Sequence, residues 1–307
     1  MAQNLPPEVG GAYYSRGAYK AGIRARGDLS LIPRPISIGW LIASFLHSET
    51  VGAAAGAAGL YDHVFTPGDT IATPHKWLTV QRMVSTLYGE QMNNARVGSF
   101  RLEINAANIV QGSVNVLGAG WGETLGSNIV TADEPAFATC ISSVNEGGAE
   151  FIVDRVALEL GSQLTDNEFR VGSFFLDDIT QLQRAVQIQM DVRIKRRDLL
   201  AKVYRNSAAA PGAGALGSWS PTIYRSSLSI RMNTAETATQ YLQIDLPGVD
   251  FLTLPVGMAG AELVRAQLTA SVSLSSDNFN PSLPAGVLQP VTATLRNSKP
   301  TVYDWNS

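Results

Sequence analysis

Val186-Gln187-Ile188-Gln189-Met190-Asp191-Val192-Arg193-Ile194 alternates apolar and polar residues without a break. Side chains of a strand point to opposite faces in turn, so this run offers one face to a core and the other to water. The same period of two recurs on either side of it. Leu78, Val80 and Arg82 alternate with Thr79, Gln81 and Met83. Phe100, Leu102 and Ile104 alternate with Arg101, Glu103 and Asn105, and Val114 and Val116 with Ser113 and Asn115. Further strands are expected within 151–160, 168–176, 241–246, 263–274 and 291–295. These are half-buried antiparallel strands, and the chain is mainly β.

Two stretches have the helical period instead. Pro35 suits a first helical turn, and Ile38, Leu41, Ile42, Phe45 and Leu46 then fall on one face. Leu199, Leu200, Val203 and Tyr204 form the apolar face of a second helix. Each helix is followed by a run of small residues, Val51–Gly59 and Ala209–Gly217, both expected to be loops. A second irregular stretch is expected over Tyr61–Trp77, which holds Pro67, Gly68 and Pro74.

These runs repeat. A shift of 158 residues lays Gly59 on Gly217 and Ser113–Leu117 on Ser271–Ser275. Two copies do not make a solenoid, but they read as two related domains and point to a symmetric assembly. The expected organisation is an extended arm over 1–22, domains over 23–150 and 151–300, and a tail over 301–307. Each domain is a β-sandwich or barrel with one flanking α-helix and long loops.

Of the 307 residues, 45% are hydrophobic but only 16% are charged, against a usual share of about 25%. Charge is depleted where protein covers protein, so much of the surface is expected to be buried in contacts. A formal charge of −3 gives no electrostatic footprint for tight nucleic-acid binding. Cys140 is the single cysteine, so no intramolecular disulfide forms and a reducing compartment suits the chain. The first residues lack a secretory pattern, and no apolar run nears the roughly 18 residues of a membrane span. A soluble protein made in the cytoplasm is expected.

Motifs for catalysis are missing. His47, His63 and His75 match no standard metal-ligand spacing, and Cys140 has no flagged base. Gly118-Ala119-Gly120-Trp121-Gly122 leads into no helix, as a phosphate cradle would. No cofactor and no enzymatic activity are expected. Lys195-Arg196-Arg197 lies where the second helix begins, and Arg34 holds the matching place in the first half. Positive charge at a helix N-terminus is unfavourable. A carboxylate from a neighbouring subunit would compensate, or the charges are simply solvated.

The order of these elements resembles a family. A short strand precedes Pro35–Leu46, and a small-residue loop leads to His63-Val64-Phe65-Thr66-Pro67. Leu78-Thr79-Val80, Tyr88-Gly89 and Ser99–Asn105 follow, then Tyr241–Val249 and Val291–Asn297 in the second half. Together these are similar to the tail tube proteins of long-tailed, siphovirus-type bacteriophages, over roughly residues 22–297. The resemblance implies domains that close into stacked rings of six-fold or pseudo-six-fold symmetry, with inner sheets joined into one barrel. With two domains per chain, three chains rather than six would complete a ring.

The implied role is the major tail tube subunit of the virion, made in the host bacterial cytoplasm. The implied partners are the chain itself, the tape measure, tail terminator and distal tail proteins, and phage DNA passing without sequence-specific binding; no membrane is involved. Gln187, Gln189, Asp191, Arg193, Arg101, Glu103 and Asn105 are the candidates to line the lumen. Val51, Gly56, Gly59, Pro67, Pro74, Pro211, Gly217, Arg34, Arg196 and Arg197 are the candidates for contacts between subunits or rings. A minor tail component (tube terminator or distal tail protein) is the nearer alternative. A β-sandwich carbohydrate-binding module is the more distant one, since the five tryptophans are dispersed.

Overall fold

A computed structural model describes residues 2–4, 18–20, 24–68, 76–85, 87–106, 108–124, 134–193, 198–207, 220–234, 239–255, 265–272 and 289–304. Strands β1 (Ala2–Asn4) and β2 (Ala18–Lys20) pair with each other. The chain continues through β3 (Ala25–Leu31), α1 (Ser37–Leu46), the hairpin β4 (His47–Ala53) and β5 (Tyr61–Pro67), and β6 (Leu78–Met83). Next come the long hairpin β7 (Gly89–Asn105) and β8 (Gln111–Thr124), then β9 (Phe137–Glu146) and β10 (Ala149–Glu150). The second half holds β11 (Val153–Leu164), β12 (Gln181–Arg193), α2 (Asp198–Arg205), β13 (Tyr224–Thr234), β14 (Tyr241–Thr253), β15 (Arg265–Val272) and β16 (Thr292–Asn297). The mainly β expectation and the two helices hold.

Fourteen strands form one antiparallel sheet, in the order β10-β9-β13-β14-β15-β12-β11-β7-β8-β3. A branch runs from β14 through β16 and β5 to β4, and β6 lies on β7. β11 pairs with β12 on one side and β7 on the other, so the sheet crosses between the halves without a break. The main core does likewise, with Phe45, Phe65 and Phe100 in one cluster with Leu158, Ile188 and Leu246. The repeat is legible in the pairing: β6·β7·β8·β3 in the first half matches β13·β14·β15·β12 in the second. In these ladders Ser30, Ser113 and Arg101 stand opposite one another as Gln187, Ser271 and Asp250 do.

Helix α1 buries Ile38, Ile42, Phe45 and Leu46 against β4, β5 and β7. Its first turn is capped from far along the chain: a Glu134 carboxylate oxygen accepts from the Ile36 N–H at 2.7 Å and the Ser37 N–H at 3.3 Å. A carboxylate at a helix N-terminus satisfies orphan donors and meets the positive end of the dipole. His47 ends the helix with φ at 71°, its N–H bonding the Ala43 carbonyl, and the chain turns directly into β4.

Two expectations of irregular chain are corrected. Val51–Ala53 is the end of β4, not loop, and Tyr61–Pro67 is a paired strand. What stabilises the hairpin is tertiary: β5 has β4 on one side and β16 on the other, with Phe65 opposite Ala293. The small residues sit in its turn, where Gly56 and Gly59 have φ of 73° and 76°, values that favour glycine. Conversely, 168–176 is no strand. It is a lobe closed by a single bridge, Phe169 to Leu176, and turned at Gly172.

Candidate assembly surface

The eight strands from β13 to β3 carry one unbroken row of directly opposed residues. It reads Arg225, Asp250, Ser271, Gln187, Glu159, Arg101, Ser113, Ser30. Every member is polar. The next row on the opposite face reads Tyr224, Phe251, Ala270, Ile188, Leu158, Leu102, Gly112, Leu31. Alternation written into single strands is therefore held in register across the sheet, giving a core face and a polar face.

All seven polar candidates named for the lumen lie on this polar face. Arg101, Glu103 and Asn105 stand on β7, and Gln187, Gln189, Asp191 and Arg193 on β12. The structure does not make the two groups neighbours; β11 lies between them and joins them by charge. Arg155 of β11 reaches Glu103 at 2.8 Å and Asp191 at 3.9 Å. Glu159 of β11 is 3.8 Å from Arg101, and Asp154 is 2.5 Å from Arg193. The β11 residues were missed as site residues, although the alternation of Arg155, Ala157 and Glu159 with Val156, Leu158 and Leu160 was visible.

These charges compensate one another. Arg101, Arg155 and Arg193 face Glu103, Glu159, Asp191 and Asp154, so the surface is polar but offers no excess of positive charge. Partial burial works against ionisation of Glu103, yet hydrogen bonds from Asn105 and Arg155 and the positive charges of Arg155 and Arg101 hold its carboxyl below the ordinary range. The hydrogen bond to Asp154 raises Arg193 above the usual guanidinium value.

The contact candidates are scattered. Val51 lies in β4 opposite His63, Gly56 and Gly59 are exposed in the β4–β5 turn, and Pro67 ends β5 opposite His47. Arg34 donates to the backbone carbonyl of Glu134, whose carboxylate caps α1, so the acidic group at this corner comes from the same chain. Pro74, Pro211, Gly217, Arg196 and Arg197 lie outside the described residues, as does most of the arm over 1–22.

Borders of the sheet remain. Among the described residues β3 pairs only with β8, and β4 only with β5. Over the polar face of β3, β8 and β7 is an open groove of about 660 Å³, lined by Ser30, Ile32 and Arg34, by Gln111 and Ser113, and by Arg101 and Glu103. An exposed strand border invites pairing with another chain.

His47 and His63 serve packing, and His75 lies outside the described residues. His63 is buried, with Nδ1 2.9 Å from a Glu49 oxygen and Nε2 2.9 Å from the Lys299 carbonyl. Lys76 also pairs with Glu49, at 2.6 Å. His47 bonds Gln181 at 2.7 Å. Among the described residues, no group of three or more His, Cys, Asp or Glu could hold a metal ion, and no helix is long and apolar enough to cross a membrane.

Comparison with known proteins agrees with this architecture. No curated protein matches the chain. A family model described as phage tail tube protein matches residues 4–293, nearly the whole length. The chain belongs to the phage tail tube protein family, a family of structural components of the virion tail.

Proposed function

We propose that this chain is the major tail tube subunit, and that three copies close into a pseudo-hexameric ring whose polar sheet face lines a channel for phage DNA. The observation that carries this reading is the eight-strand polar row from Arg225 to Ser30. The chain is read as two tandem tube-type units, β13·β14·β15·β12 and β6·β7·β8·β3, with β11 taking the place beside Ser99–Asn105 of β7 that β6 leaves open, so that four strands on each side of the seam carry the row. Three chains would then contribute about 24 strands, and barrels of 16–18 strands already enclose water.

The electrostatics favour passage over capture. A lining rich in unpaired Lys and Arg would hold a polyanion by counterion release. Here each arginine of β7, β11 and β12 on this face has an acidic neighbour, and Gln187 and Gln189 are neutral. On the apolar side α1 packs against β7 and α2 against β13 and β14, and this side is read as the outside of the wall. In this reading the β4–β5 turn and Pro67 meet the adjoining subunit or ring. The tape measure, tail terminator and distal tail proteins are the chain's proposed partners in the tail.

Negative-stain microscopy of purified protein tests the proposal. Tubes or stacked rings support it. Single rings that never stack point to a minor tail component, and monodisperse monomers at high concentration contradict assembly.

A further inference from the structure

The chain contains, within itself, a rehearsal of how two chains meet. The unit ending at β12 is continued by β11, and β11 hands the sheet on to β7. β11 lies beside β7 as β13 lies beside β14: Glu159 faces Arg101 as Arg225 faces Asp250. The outer border of β12 is in turn the counterpart of the outer border of β3, since Gln187 and Ser30 hold matching places in the two units. The internal seam β12·β11·β7 thus has the form of β3·β13·β14.

Resting on the tube reading above, we infer that β3 of one chain adds antiparallel to the start of β13 of a second copy, in the register of the internal seam. Gln187 stands opposite Glu159 in that seam, so Ser30 stands opposite Arg225 of the next copy, Leu31 opposite its Tyr224, and Ile32 opposite its Ile223. The contact is head to tail, the kind that closes into a ring when the rotation permits.

Three independent features agree with this register. Neighbours from β13 to β3 are antiparallel at every one of seven steps, so the two end strands run in opposite directions, as an antiparallel junction requires. Ile32 is 49% and Ile223 53% exposed, two large apolar side chains at opposite borders that the register sets face to face. Leu31 and Tyr224 fall on the core face, and both pack against the main core. β9 enters the β13 ladder from Leu228 onward and the Gly147 N–H bonds the Ser227 carbonyl, so the contact is confined to the end of β3, with Leu29–Ile32 against Ile223–Ser226. A slip of one residue would place Ile32 and Ile223 on opposite faces.

Cross-linking of assembled protein tests the inference. In a Cys140→Ser background, Ile32→Cys combined with Ile223→Cys should give disulfide-linked oligomers on oxidation, read on non-reducing gels and by peptide mass. Neither single cysteine variant should do so. Ile32→Cys with Ile141→Cys, which would report addition to β9 instead, should remain largely unlinked. In the unmodified chain, backbone amides at 29–32 and 223–225 should slow in hydrogen exchange on assembly, by tenfold or more. Tubes with the 32–223 link and this protection support the inference. Tubes that link 32 to 141, or that protect neither segment, overturn the register and leave the tube reading standing. An unmodified protein that stays monomeric overturns both.

Discussion

Tyr303 fills the space directly over Gly39 of α1: a Cβ added at Gly39 would lie 2.1 Å from the Tyr303 Cζ. The ring is buried, with its edge on Trp40 at a centroid distance of 5.2 Å and its hydroxyl accepting from the Asn297 amide at 2.7 Å. Asn297 also donates to the Pro35 carbonyl, and the Tyr303 N–H donates to Glu49 at 2.9 Å. The C-terminal segment is thereby tied to the first helix and to β4. This glycine is required by close approach, not by its backbone angle.

Gly39→Ala should therefore destabilise the fold by about 1–3 kcal/mol through overpacking, although alanine is the better helix former. Urea unfolding of Gly39→Ala, Tyr303→Leu and the double variant measures it. The double variant should be more stable than the two losses added, because the second change removes the clash.

Glu49 is the hub beneath Tyr303. Burial pushes its carboxyl upward, but hydrogen bonds from His63, Lys76 and the Tyr303 N–H, with the Lys76 charge, hold it below the ordinary value of 4.5. A carboxylate depressed in the folded state adds stability above its unfolded pKa and loses it as pH falls through the folded value. Glu49→Gln should cost about 3 kcal/mol at neutral pH. The gap from the wild type should stay constant above about pH 5.5 and narrow as the pH is lowered below 4.5. Unfolding measured from pH 3 to 8 checks this, and a gap independent of pH would contradict it.

Arg96 is buried with its guanidinium 4.2 Å from the Trp77 ring centre, and burial pushes its pKa down to about 10. Its guanidinium nitrogens find no hydrogen-bond partner among the described residues. A buried charge so placed adds little stability, so Arg96→Met should be neutral or stabilising by about 1 kcal/mol or more. Trp77→Ala removes the ring and should cost about 3 kcal/mol. Thermal unfolding of both variants separates the charge from the packing.

Charge balance on the polar face makes a prediction about DNA. Glu103→Lys with Glu159→Lys leaves Arg101 and Arg155 without their closest acidic neighbours on β7 and β11. Tubes of this variant should retain duplex or single-stranded DNA in a salt-dependent manner, whereas wild-type tubes should not. Co-sedimentation across a series of salt concentrations reads the difference, and equal retention by both would count against a channel lined by this face.

How far the sequence revealed this fold follows from where the signals lie. Strand β12 and the lower part of β7 were legible because each keeps strict alternation between two different environments. Helix α1 was legible from its apolar face and Pro35. The β4–β5 hairpin was not, since its pairing depends on β16, far along the chain, and composition alone favoured a loop. The Glu134 cap lies 98 residues from Ile36, beyond any local pattern. The lobe over 168–176 has apolar residues, but Gly172 and the Asn167 and Ser173 bonds turn it before a strand can extend. The polar candidates were readable strand by strand. Their union into one row depends on β11 lying between β7 and β12, which sequence spacing does not show.

An end-on cryo-electron microscopy reconstruction of assembled rings, at a resolution that separates strands, is the most direct measurement of the central claim. Three chains, a wall of about 24 strands, and Arg101, Glu159 and Gln187 facing the channel are the expected result. A ring of six chains, or a wall that turns Leu102, Leu158 and Ile188 inward and this polar row outward, would contradict it.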